Sequence, residues 1–168
     1  QATHEGATAL FIASQKGHLD VVKLLLGAEG VNVNQATHEG ATALFIASQK
    51  GHSDVVKLLL NVEEINVNQA DDDDGTTALY IASQNGHLDV VKLLLGVEGI
   101  DFNQHNKSNQ TPLNIASEQG HVEIVRLLIQ QPNIDLNKKD DWNDSPLEGA
   151  QKKNHTEIVQ LLTDAGAQ

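Results

Sequence analysis

The first eighteen residues, QATHEGATALFIASQKGH from Gln1 to His18, recur without a change from Gln35 to His52. The unit returns with increasing drift as GTTALYIASQNGH ending at His87, NQTPLNIASEQGH ending at His121 and NDSPLEGAQKKNH ending at His155. The offsets between successive histidines are 34, 35, 34 and 34, so the one length change is a single residue, and it falls in the acidic run Asp71 to Asp74. A fixed period of this size constrains the fold severely. One such unit cannot bury its own apolar face and must share it with neighbours, so the 168 residues count repeats and not one central core. The units run approximately over 1–34, 35–68, 69–103, 104–137 and 138–168, a single array. Function is then expected on a surface, not in a closed pocket.

Within each unit the signals are helical. Thr8 precedes Ala9-Leu10 and an apolar run, and Thr111 and Ser145 stand directly before Pro112 and Pro146. A hydroxyl that caps a free amide, followed by proline at the first helical position, marks a helix start. Lys16 and Gly17 mark its end, because a cation suits the negative end of the helix dipole and glycine takes the left-handed conformation that closes the turn. In the last unit Asn154 replaces that glycine, and asparagine tolerates the same conformation better than most residues. After His18, LDVVKLLL carries a wide apolar stripe through Val21, Val22, Leu24 and Leu25, with Asp20 in the first turn and Lys23 outward, which predicts a second amphipathic helix. Helices this short are marginal alone in water and depend on packing between units. The alternating Val31-Asn32-Val33-Asn34, recurring at 65–68, 100–103 and 134–137, predicts an extended segment leading through QATHEG into a projecting turn.

T-A-L-F-I-A-S-x-x-G-H, with TPLNIA at Thr111 to Ala116, resembles the T-P-L-H-x-A…G-H signature of ankyrin repeats over all five units. The resemblance implies an all-α solenoid of stacked helix-turn-helix units with projecting turns, acting as a non-catalytic scaffold for a protein or peptide. Three departures stand out. The period is 34 where the family has 33. The histidine of TPLH, which in the family bonds backbone between repeats, is here Phe11, Phe45, Tyr80, Asn114 and Glu148, so aromatic packing is expected to replace that bond in the first three units. In the fifth unit Glu148, Gly149, Gln151, Lys152 and Lys153 break the apolar pattern and read as a polar C-terminal cap close to the natural end. The first unit has no such cap and reads as one excised from a longer array, with an exposed leading apolar face near Leu10 and Val21 that favours weak end-to-end association of an otherwise monomeric chain.

Composition removes several function classes. With 11 Lys and Arg against 23 Asp and Glu the formal charge is −12, which disfavours phosphate backbones and anionic membranes. No long apolar run or basic-then-apolar leader occurs. The chain has no cysteine, and its sequons at Asn109 and Asn143 lie beside helix starts where a glycan would crowd the next unit, so an intracellular, cytoplasmic site is expected. No nucleophile elbow, phosphate loop or convergent carboxylate pair appears, hence no catalysis, no cofactor and no small-molecule substrate are expected. Consecutive aspartates at Asp71 to Asp74 cannot all converge on calcium, His4 and His38 sit too far apart for one zinc ion, and the five Gly-His histidines are structural on periodicity.

The family resemblance implies binding on the concave side, formed by the turn tips and the inner surface of the first helices. The positions singled out there are His4, Glu5, Lys16, His38, Glu39, Lys50, Asp73, Asp74, Asn85, Lys107, Ser108, Trp142 and Lys152. The first three tips are acidic, which favours a partner with a basic or amide-rich stripe. Trp142, the sole tryptophan, is on a tip, where it anchors a partner, lies flat on the preceding turn, or does both. Two other readings share this sequence: a targeting or substrate-recruitment module of a larger enzyme or effector, and a duplication product with no selected ligand.

Overall fold

The computed structural model describes residues 6–168, which form an array of helical hairpins with no strand among them. The helices are α1 (Ala9–Gln15), α2 (Leu19–Leu26), α3 (Ala43–Lys50), α4 (Ser53–Leu60), α5 (Ala78–Gln84), α6 (Leu88–Leu95), α7 (Pro112–Gln119), α8 (Val122–Leu128), α9 (Pro146–Lys152) and α10 (Thr156–Asp164). The odd-numbered helices stack α1 on α3, α5, α7 and α9 in one layer, and the even-numbered ones stack from α2 to α10 in a second. Each hairpin buries its apolar side between the two layers.

The helix starts follow from their caps. Thr8 Oγ1 accepts from Phe11 N at 3.1 Å, Thr42 from Phe45 N at 3.1 Å and Thr77 from Tyr80 N at 3.2 Å. At Thr111 and Ser145 the cap is reciprocal, because the Asn114 and Glu148 side chains return a bond to the capping residue's own amide. The second helices start at His18, His52, His87, His121 and His155 without a side-chain cap, and an acidic residue sits in each first turn instead. Val56, Leu59, Val91, Leu94, Val125 and Leu128 are fully buried. Each such side chain contributes about 1.5–3 kcal/mol, which short helices need.

What joins one unit to the next is hydrogen bonding as well as apolar area. The imidazole Nε2 of His52, His87, His121 and His155 bonds the carbonyl of Gln15, Gln49, Gln84 and Glu118 in the unit before, at 2.9–3.1 Å. The glycine of that earlier unit must be bare to admit the ring: a Cβ on Gly51 (φ 73°) would sit 2.6 Å from His87 Nδ1. Asn154 also has a positive φ, 60°, as its sequence position predicts. No ring follows it among the described residues, so a side chain fits there.

The Val-Asn segments depart from expectation. They are turns and not extended ribbon, because Asn32 Oδ1 accepts from Asn34 N at 3.0 Å and the same two-residue loop recurs at Asn66, Asp101 and Asp135. Alternation of burial survives, with Val33 and Val67 buried. The asparagine at the end of each turn bridges units: Asn68 Nδ2 donates to Gly99 O at 2.8 Å while its Oδ1 accepts from Asp101 N at 2.9 Å, and Asn34 and Asn103 do the same one unit earlier and later.

The leading face of the first unit needs one correction. Leu10 is 4% exposed, because it points between α1, α2 and α3. The open apolar surface is on α2, where Val21 is 46% and Leu24 77% exposed, whereas Val55 and Val90 at the equivalent of Val21 are buried under the preceding unit.

Candidate protein-interaction groove

Between consecutive units the chain projects a finger that precedes each odd helix. In each one a residue with a side-chain oxygen organises a tight turn: Thr37, Asp71, Asn106 and Asp140. Asn106 Oδ1 accepts from Ser108 N and Gln110 N, and Asp140 Oδ1 accepts from Trp142 N and Asp144 N, at 2.9–3.0 Å. The extra residue of the third unit is absorbed here, since Asp71 N bonds Thr76 O where Thr37 N bonds Ala41 O. Neighbouring fingers are tied by backbone bonds, Asp72 N to Glu39 O, Lys107 N to Asp74 O and Asp141 N to Ser108 O, at 2.8–3.1 Å. The fingers therefore form one continuous wall beside the layer of odd helices, and the angle between them is a groove.

The groove contains successive hollows. One of 480 Å³ has Phe11, Phe45 and Gln49 on its floor with His38 and Glu39 on its wall. The next, of 500 Å³, has Phe45, Tyr80, Gln49 and Gln84 below and Glu39, Asp71, Asp73 and Asp74 above. A third, of 340 Å³, is between the last two units against Trp142. Phe45 and Tyr80 are buried, so they act as floor and as packing together. The Tyr80 hydroxyl donates to Gln110 Oε1 at 3.0 Å and accepts from Asn106 Nδ2 at 3.3 Å. Burial first, and then the carboxylates of Glu118, Asp74 and Asp140, push this phenol well above its usual value.

The residues singled out from sequence are placed as follows. His4 and Glu5 lie outside the described residues. His38, Glu39, Asp73 and Asp74 are exposed on the fingers, and no ion pair reaches Glu39 or Asp71 to Asp74 among the described residues. Lys16, Lys50 and Asn85 are exposed at the ends of α1, α3 and α5, with Asn85 Nδ2 bonded to Ile81 O at 3.0 Å. Lys107 is exposed but engaged, its ammonium donating to the carbonyls of Asp72 and Asp73, so it holds the acidic finger. Ser108 is half-buried under the tie to Asp141. Lys152 is paired with Asp144 at 2.5 and 2.6 Å, which raises its pKa. Trp142 is 66% exposed and lines the third hollow. Asp140 is not among the positions singled out from sequence, and Gly149 enters there only as part of the polar cap, through its interruption of the ALFIA pattern.

Asn114 bonds the backbone of the next repeat, its Nδ2 donating to Lys138 O at 2.9 Å and Asp144 O at 3.4 Å, whereas Tyr80 at the same position reaches the next repeat through the side chains of Gln110 and Asn106. Among the described residues no group of three His, Asp or Glu side chains is placed to hold a metal ion, and no helix is long and apolar enough to cross a membrane.

A comparison with curated proteins gave no match. The profile of the family described as ankyrin repeats (3 copies) matches residues 10–106 and 95–168, nearly the entire chain. Ankyrin repeats are in general protein–protein interaction modules, and the helix pairs, Gly-His turns and fingers seen here are the features the profile spans. The chain belongs to the ankyrin-repeat family.

Proposed function

We propose that the chain is a non-catalytic scaffold whose concave groove takes an extended, basic segment of a protein partner. The observation that carries this reading is the hollow between the second and third units, where Glu39, Asp71, Asp73 and Asp74 have no paired cation among the described residues and overhang the aromatic floor of Phe45 and Tyr80. Carboxylates without a neutralising cation beside apolar surface suit long cationic side chains, whose stems cover the floor while their heads meet the charges. The negative charge also speeds encounter with such a partner and opposes nucleic acid and anionic lipid. The scaffold works as a monomer, with weak end-to-end association through Val21 and Leu24 at high concentration. An intracellular, cytoplasmic setting fits the lack of cysteine and the sequon at Asn106, whose side chain is buried and bonded to Ser108 N, Gln110 N and the Tyr80 hydroxyl.

The test is fluorescence anisotropy of a labelled, unstructured lysine-rich peptide, with an acidic peptide as control. Glu39→Lys, Asp73→Lys and Asp74→Lys together should abolish binding and flatten its salt dependence. The same change of charge at Glu29, Glu63 and Glu98, which are exposed on the other side of the array, should weaken it only slightly. Equal losses in the two triple variants would reduce the effect to net charge and overturn the groove.

A further inference from the structure

The hollow between the last two units is lined by a glycine where the earlier hollows are lined by isoleucine. The fourth residue of each odd helix in the second to fourth units is isoleucine, at Ile46, Ile81 and Ile115, and all three are buried. In α9 that position is Gly149, and an added Cβ there would meet nothing nearer than Glu118 Cβ at 3.9 Å. The space beside Gly149 belongs to a hollow of 340 Å³ walled by the exposed Trp142. Three carboxylates line it. Asp144 is neutralised by Lys152, and Glu118 by Lys153 at 3.4 Å. Asp140 has no cation within 4 Å among the described residues. Its Oδ1 is committed to the finger amides, while Oδ2 holds only the neutral amide of Gln110 at 3.2 Å.

We propose that this hollow is a pocket for a single arginine side chain of the bound segment, with the guanidinium stacked on Trp142 and one edge directed at Asp140 Oδ2. The proposal rests on the groove reading above and specifies one side chain within it. An aliphatic side chain would strip water from Asp140 without replacing its bonds, and an acidic one would add to the remaining negative charge. Arginine fits better than lysine because the guanidinium is planar, weakly hydrated and able to stack on indole while it donates in plane, and its methylene stem fills the apolar space left at Gly149.

Trp142 is the sole tryptophan, so its indole N–H gives one resonance in a proton–nitrogen correlation spectrum and reports the pocket directly. The probes are the N-acetyl amides of arginine, lysine and norleucine. Arginine should give a saturable shift, lysine a weaker one and norleucine none. Asp140→Asn should weaken arginine binding by about fivefold, the scale of one cation–π or charge-assisted contact. This variant keeps the finger, since Asn106 performs the same turn bonding in the fourth unit. Gly149→Ile should abolish the shift and leave the unfolding midpoint unchanged or raised. No saturable shift, equal binding of norleucine, or unchanged affinity in both variants would overturn the pocket. If arginine fails while the lysine-rich peptide still depends on Glu39, Asp73 and Asp74, the pocket falls and the groove stands. If that dependence fails as well, both fall.

Discussion

Substituting Gly86 by alanine tests how the units are joined. Gly86 and Gly99 have nearly the same backbone conformation, φ 75° and 80°, but opposite surroundings. A Cβ on Gly99 meets nothing within 4 Å, whereas one on Gly86 would be 2.6 Å from His121 Cε1 and 2.9 Å from its Nδ1. Gly99→Ala should therefore cost only the left-handed penalty of an L-residue, about 1–2 kcal/mol. Gly86→Ala adds two further losses. Overpacking against the ring costs about 1–3 kcal/mol, and a displaced His121 gives up its 2.9 Å bond to Gln84 O, about 1 kcal/mol. The expected total is about 3–6 kcal/mol, a difference of about 2–4 kcal/mol between the two variants. Urea unfolding followed by circular dichroism measures it. In a His121→Ala background the Gly86→Ala cost should fall back to that of Gly99→Ala, because the obstructing ring is gone. Equal costs for the two glycines, or a Gly86→Ala cost that persists without His121, would refute the claim that each glycine is required by the next unit's histidine.

Four further outcomes follow from the packing and electrostatics. Leu94→Ala, at a fully buried site, should cost about 2–5 kcal/mol in urea unfolding, while Leu24→Ala and Lys23→Ala, both exposed, should stay within about 0.5 kcal/mol. The buried Oγ of Ser83 has no hydrogen-bond partner among the described residues, so Ser83→Ala should leave stability unchanged or raise it by up to about 1 kcal/mol. Asn68→Ala removes both bonds that bridge two units and should cost about 1–3 kcal/mol in the same assay. Tyr80 is the only tyrosine, and its folded pKa is raised, so its contribution to stability is complete below about pH 10 and is lost as pH rises beyond that value. Absorbance titration should show phenolate appearing only at higher pH than in urea, and the urea midpoint should fall over the same range.

Much of this architecture is legible in the sequence because each device recurs in register. Thr8, Thr42, Thr77, Thr111 and Ser145 announce the odd helices, and the glycine or Asn154 after each announces its end. What recurs is also ambiguous about partners. The histidines could be read as structural from their period, but the carbonyl each one reaches is in another unit and has no sequence mark. The Val-Asn segments misled for a related reason. Alternation of apolar and polar residues is common to a strand and to a turn closed by an asparagine side chain, and only the bond from Asn34 N to Asn32 Oδ1 decides between them. For the groove, exposure of the acidic fingers and of Trp142 follows from their place in the repeat. The engagement of Lys107 and Lys152 does not, since carbonyls and carboxylates that capture a lysine are brought near it only by folding. Gly149 is the sharpest case: an absent side chain reads as a weakened helix until its neighbours are known.

The central claim is that one face of this array, fingers and odd helices together, is the binding surface while the even helices only support it. Amide hydrogen exchange with and without the lysine-rich peptide tests this most directly. Protection should rise in the fingers around residues 38–41, 71–76 and 106–110 and at the starts of α3, α5 and α7, with α4, α6 and α8 unchanged. Protection confined to the even helices, or none at saturating peptide, would contradict it.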